Sequence, residues 1–345
     1  MKSGIHFLAP WLGLLSAVVF TGACGSDAET NTSNSGSTTA TTGSGTGGAT
    51  SSSTTGPGAG GSGGVATGGG GNGGFSVVIT IVMENHDYNE VVGSADAPYV
   101  QSLIDMYGLA TNYFDSGTHP SLPNYLYMAS GATQYPGIVD LSPTFYPFPV
   151  KAENLGNQLE AASIPWRSYQ ESMGSPCNLS DNGNYATKHD PFIYFDGIQN
   201  GPNDLCAKTQ VDYSGFAADL AAGTYKYMWI TPNLLSDGHD PATDPVQGLK
   251  QSDAWLATEL PKILESPIYN AGGVVFLCWE EAEGRNGNDP DQVPMIVISP
   301  KLKSVGFQTS TKLSHAGYLA TIEEIFGLPK LGAAATATTL MEFFE

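Results

Sequence analysis

Short apolar runs rich in β-branched residues, alternating with helical stretches, are the feature that most restricts how this chain can fold. Four are strong: F-S-V-V-I-T-I-V-M (75–83), K-Y-M-W-I (226–230), G-V-V-F-L-C-W (273–279) and M-I-V-I-S (295–299). Runs of this length without polar alternation are the pattern of strands buried on both faces. Weaker candidates lie at 112–114 and 166–169, and the sequence between predicts helices over 97–107, 122–129, 154–162, 214–222, 249–264 and 315–326. Such alternation predicts an α/β fold built on a mostly parallel sheet.

The first 74 residues cannot contribute to that core. Lys2, the apolar stretch from Phe7 to Phe20 and the small residues Gly22 and Ala23 read as a signal peptide over 1–23. The apolar stretch, about 14 residues, is too short for a comfortable membrane span. Cys24 closes a lipobox-like T-G-A-C, with Thr21 where a leucine is usual, and is expected to carry lipid. Residues 24–74 then form a Gly/Ser/Thr linker, a flexible coil with a reach of roughly 40 Å. The expected location is outside the cytoplasm, anchored by lipid to the bacterial outer membrane or cell surface, or else secreted or periplasmic. The folding domain is 75–345.

A formal charge of −20, two arginines (Arg167 and Arg285) and no basic cluster exclude nucleic acid as a partner. The plain reading of the acidity is solubility. It also means that an enzyme of this composition acting on phosphate has no arginine cradle, so a metal ion and histidines must supply positive charge. Of the cysteines, Cys177 and Cys206 lie in loop-like sequence and suit a disulfide in an exported protein; Cys278, inside V-V-F-L-C-W, reads as a buried, inert thiol.

Polar residues cluster where the strands end, and parallel α/β sheets bind ligands outside that edge. Glu84 and Asn85 follow the first run; Thr231, Asn233, Asp237, His239 and Asp240 follow the second; Glu280 and Glu281 follow the third. Their oxygens suit a hard metal ion, although turn-forming and solvated acidic residues would look similar. Ser121 opens a helix with Pro123 in its first turn, where free amides favour an anion beside the hydroxyl. It is a candidate nucleophile, or simply a helix cap. Of six histidines, His86, His119, His189 and His239 lie beside these clusters, and His315 opens the last helix within reach of the same edge. His86 reads as structural.

V-M-E-N-H-D-Y, T-H-P-S-L-P-N-Y-L-Y-M-A-S-G, K-H-D-P-F-I-Y-F, T-P-N-L-L-S-D-G-H-D, F-L-C-W-E-E, V-P-M-I-V-I-S-P and S-H-A-G-Y-L-A-T-I-E-E-I-F-G-L-P occur in that order over residues 76–330. Together they resemble the phosphoesterase family of bacterial acid phosphatases and phospholipases C, a branch of the alkaline phosphatase superfamily. The resemblance implies a Rossmann-like αβα sandwich. It also implies one divalent metal ion among Glu84, Asn85, Ser121, Glu280 and Glu281, with Ser121 attacking phosphorus. His119, His189 and His239 would hold phosphoryl oxygens or protonate the leaving alcohol, and Asn85, Asp237, Asp240 and His315 would line the substrate. Two departures stand out. Relatives usually carry Asp-Glu or Asp-Asp where Glu280-Glu281 stands, and the loop before V-P lacks a histidine, which argues against a second metal.

The expected activity is that of a metal-dependent acid phosphatase cleaving phosphomonoesters, with an acidic optimum if histidines near neutrality hold the phosphate. The substrate would be a phosphorylated small molecule or lipid, and the membrane is met only through the lipid anchor. The alternatives are a phospholipase C-type phosphodiesterase, a phosphoinositide phosphatase, or a surface lipoprotein that binds ligand without turnover.

Overall fold

The computed structural model describes residues 74–135, 139–145, 147–241 and 243–344. The signal peptide, Cys24 and the linker up to residue 73 lie outside the described residues.

The strands are β1 (Val78–Met83), β2 (Gly108–Ala110), β3 (Tyr113–Phe114), β4 (Trp166–Gln170), β5 (Gln210–Asp212), β6 (Tyr227–Thr231), β7 (Val274–Trp279), β8 (Met295–Ile298), β9 (Gln308–Thr309) and β10 (Leu313–Ser314). Eight form one sheet in the order β5-β4-β6-β1-β7-β8-β2-β9, and β3 pairs with β10 separately. The five strands from β5 to β7 run parallel. The weak strand expected at 112–114 therefore exists but belongs to the small second sheet. β8 runs antiparallel to both neighbours. The connection from β7 contains only one short 3₁₀ turn, Arg285–Gly287, and no crossover helix to carry the chain back for a parallel partner.

Every residue of β1, β6 and β7 is buried, Trp229, Phe276 and Trp279 among them. Each large side chain so buried contributes roughly 1.5–3 kcal/mol. Thr80, the polar residue of β1, keeps its hydroxyl paired with Tyr318 Oη at 2.6 Å and Tyr227 Oη at 3.3 Å. The helices form two packed groups, Ser121–Ser130 with Leu155–Ala161 and His315–Phe326, and Pro98–Met106 with Pro245–Leu264. With the sheet they give the expected αβα architecture. The helix expected from 249 begins earlier, at Pro245, because Asp244 accepts the Gln247 amide at 3.1 Å and proline suits the first turn.

Cys177 and Cys206 form the expected disulfide, with Cα atoms 5.3 Å apart, and Cys278 is a buried free thiol whose titration burial pushes up. Among the described residues no helix is long and apolar enough to cross a membrane.

Candidate active site

Register brings the strand ends together. Ile81 of β1 lies opposite Ile230 of β6, and Met83 opposite Trp279 of β7. The backbone pairing then continues past the strands: the Glu84 amide donates to the Asp237 carbonyl at 2.9 Å, and the Glu280 amide to Met83 at 3.0 Å. Three sequence-distant carboxylates, Glu84, Asp237 and Glu280, are thereby buried side by side, each fully covered.

Ser121 stands over this group at the first turn of its helix. Its hydroxyl donates to Glu281 Oε1 at 3.0 Å and lies 3.4 Å from Glu84 Oε2. Tyr125, one helical turn on, donates to Glu84 Oε1 at 2.5 Å. The Tyr125 ring stacks on His189, with centroids 5.2 Å apart. His189 in turn bridges Glu84 Oε1 and Asp237 Oδ2, each at 3.3 Å.

Burial raises the pKa of Glu84, and it holds Glu280 and Asp237 well above the usual carboxylate range; the neighbouring negative charges add to the rise for the latter two. Neither carboxylate oxygen of Glu280 has a hydrogen-bond donor, nor does Asp237 Oδ2, Asn85 Oδ1 or His189 Nε2. A cluster of buried carboxylates with unpaired oxygens and an imidazole suits a divalent cation, which would replace the missing donors and allow the acids to ionise. Ligand atoms of Glu84, His189 and Asp237 lie within 4.8 Å of one another. Thus His189 and Asp237, expected to face the substrate, share the cation-suited cluster with Glu84. Asn85 adopts a left-handed backbone (φ 49°) at the same turn.

His119 lies across Glu281 from Ser121, with Nδ1 2.6 Å from Glu281 Oε2. That contact raises its pKa to about 9. Burial instead pushes His189 well below the ordinary histidine value. Neither ring titrates near neutrality, so an acidic optimum takes its cause from elsewhere than these two. His239 meets Asp240 at 3.0 Å and Lys188 Nζ at 3.2 Å, placing all three on the Asp237 side of the cluster.

His315 is a correction. It was expected against substrate, but its ring is fully buried, with Nδ1 2.8 Å from Tyr113 Oη and Nε2 2.7 Å from the Glu280 carbonyl. It positions the backbone of a site carboxylate. His86 is buried too, with Nδ1 3.4 Å from Glu90.

Several supporting residues were not singled out from sequence. Asp87 accepts the amides of Glu283, Gly284 and Arg285 and the Asn288 side chain, tying the loop after β7 to the loop after β1. Asp115 accepts the Gly117 and Ala282 amides, and burial raises its pKa to about 7. Lys188 and Asp140 form an ion pair of 2.8 Å. Tyr125 alone carried a local signal, standing four residues after Ser121 and hence on the same helical face. Both arginines are engaged away from Ser121, Arg167 with Asp219 and Arg285 with the Asn85 carbonyl and Glu90.

This constellation sits at the strand carboxyl ends. A model of the phosphoesterase family matches residues 94–329, more than half of the chain. The chain belongs to the phosphoesterase family. This phosphoesterase is 27% identical to a phosphatidylinositol-3-phosphatase of Mycobacterium tuberculosis, over 78% of this chain and 83% of that protein. It is 30% identical to a probable acid phosphatase of Kluyveromyces lactis, over 75% of this chain but 60% of that longer protein. Among solved structures, an alkaline phosphatase superfamily protein from Vibrio parahaemolyticus superposes with a TM-score of 0.55 at 12% identity, covering 77% of this chain and 70% of that one. That likeness shows the fold. Family and relatives together make the chain a hydrolase of phosphoric esters.

Proposed function

We propose that this phosphoesterase is an exported, metal-dependent phosphatase that cleaves phosphomonoesters through Ser121. The observation that carries the reading is the position of the Ser121 hydroxyl, 3.0 Å from Glu281 and 3.4 Å from Glu84, in a cluster where the buried carboxylates of Glu280 and Asp237 keep oxygens without hydrogen-bond donors. Glu84, Asn85, Ser121, Glu280 and Glu281 would hold the cation, with His189 and Asp237 against Glu84. When bound, the cation lowers the serine pKa and neutralises charge developing on the phosphoryl group.

The chain's own residues supply the rest. Ser121 attacks phosphorus, its proton passing to Glu281 Oε1. The P–O bond to the leaving alcohol breaks, and His119, protonated up to about pH 9, gives that alcohol a proton. Water then attacks the phosphoserine and returns the hydroxyl. The N-terminal end of the Ser121–Ser130 helix dipole favours the phosphoryl anion throughout.

A phosphoinositide monoester is the second reading, favoured by the similarity to most of the length of a phosphatidylinositol-3-phosphatase. Export and lipid anchoring rest on the N-terminal sequence, and the Cys177–Cys206 disulfide suits an oxidising compartment.

The test is hydrolysis of p-nitrophenyl phosphate by the wild type and Ser121→Ala, each with and without chelator. Acid quenching during turnover would trap phosphate on Ser121. Full activity in the alanine variant, or indifference to chelator, overturns the reading. Soluble phosphatidylinositol 3-phosphate assayed alongside separates the general from the lipid substrate.

A further inference from the structure

We propose that Lys188 and the Leu122 amide form the subsite that holds the substrate's phosphoryl oxygens, and that the Asp140 carboxylate fills it as an internal stand-in until substrate arrives. The inference rests on the function proposed above and adds a cation that sequence reasoning left out.

One carboxylate is shared between two anion-binding donors. Asp140 Oδ1 accepts the Leu122 amide at 3.1 Å, and Oδ2 accepts Lys188 Nζ at 2.8 Å. Leu122 directly follows the nucleophile, so its amide is among the first-turn donors that have no acceptor within the helix, next in sequence to Ser121. Lys188 is tied to the other side of the site, 3.2 Å from His239 Nε2. Lys188 also directly precedes His189, whose Nε2 lies 3.3 Å from Glu84 Oε1, so a cation adjoins the reaction centre in a chain whose two arginines are engaged elsewhere. A cleft lined by Asp140, Thr187, Lys188, Leu234, His239 and Asp240 opens at this point.

The chemistry of exchange is simple. Lysine recognises phosphate as a point charge, and a monoester dianion offers it twice the charge of a carboxylate, with a third oxygen for the amide. Rotation of the Asp140 side chain is enough to vacate the donors. A diester carries only the charge of the carboxylate it must displace, so the exchange favours monoesters. While Asp140 competes, apparent phosphate affinity falls by the fraction of molecules in which the donors are free; occupancy in nine of ten molecules would weaken it about tenfold.

The experiment measures inorganic phosphate binding to the full chain, metal-loaded, by titration calorimetry and as competitive inhibition of p-nitrophenyl phosphate hydrolysis. Asp140→Asn keeps an acceptor for the Leu122 amide but removes the charge from Lys188; phosphate should bind about tenfold more tightly. Lys188→Met should weaken it by about tenfold or more and raise KM more than it lowers kcat. Unchanged or weaker binding in Asp140→Asn, or unchanged binding in Lys188→Met, overturns the proposal. Asp140→Ala replaces the asparagine variant if that fails to fold. A wild type that binds phosphate with this pattern but hydrolyses nothing would sink the proposed function and leave the subsite standing.

Discussion

Ser121 and His119 hold opposite oxygens of a single carboxylate, the serine on Glu281 Oε1 at 3.0 Å and the histidine on Oε2 at 2.6 Å. The proposed nucleophile and proton donor are thus set by one residue. Glu281→Gln should lower kcat by about 10²–10⁴, since it removes the serine's base and the charge that keeps His119 protonated. The pH dependence carries the sign. His119 holds its proton to about 9 because of Glu281, so in the variant the alkaline fall in rate should begin nearer the ordinary histidine range, about 6.5. A pH–rate profile that keeps its alkaline limb would rule out this role for His119.

Tyr125→Phe tests the support beneath the cation-suited carboxylates. Phenylalanine keeps the stack on His189 but loses the donor to Glu84 Oε1. Removing such an outer partner typically costs about 10–100-fold in metal affinity or activity. Metal titration followed by activity at saturation would separate the two, and equal affinity with equal rate would show the bond to be idle.

Asp190 gives a prediction about stability. It is fully buried, and burial raises its pKa from 3.8 to about 8. A carboxyl raised on folding contributes stability that is present below its unfolded value and is lost as pH rises through its folded value. The wild type should therefore lose this contribution between pH 4 and about 8, whereas Asp190→Asn should show a flatter slope over that window. Unfolding by urea at several pH values, with chelator throughout, measures both slopes.

Gly317 sits in the last helix where an added Cβ would lie 2.3 Å from the Thr338 carbonyl oxygen. The neighbour is backbone, so Gly317→Ala should cost about 1–3 kcal/mol by overpacking. Gly215→Ala, which meets nothing within 4 Å, is the control.

Replacing Cys177 and Cys206 together by serine should cost about 2–5 kcal/mol. Reductant should lower the melting temperature of the wild type and leave that of the double variant unchanged.

The central strands were legible because β1, β6 and β7 are buried on both faces, which leaves an uninterrupted apolar run. β5 and β9 were not: they are two or three residues long, and Gln210, Asp212, Gln308 and Thr309 carry no apolar signature. At the site, strand-end carboxylates and Ser121 could be read because their positions follow from strand order. The contacts of His315 and Lys188 could not. Which way a side chain turns, and which neighbour arrives from fifty or two hundred residues away, depends on packing that no local spacing encodes. The acidic composition also pointed away from a lysine at the centre, although Lys188 lies within the K-H-D-P stretch.

Asp87 joins the two loops that carry Glu84 and Glu280 through the amides at 283, 284 and 285. A connection of this kind is made when the chain folds and does not wait for ligand, so the reacting groups have little left to organise when substrate arrives. Heat should then abolish catalysis and tertiary structure over one and the same temperature range, with no cooler interval in which an intact fold has already gone silent.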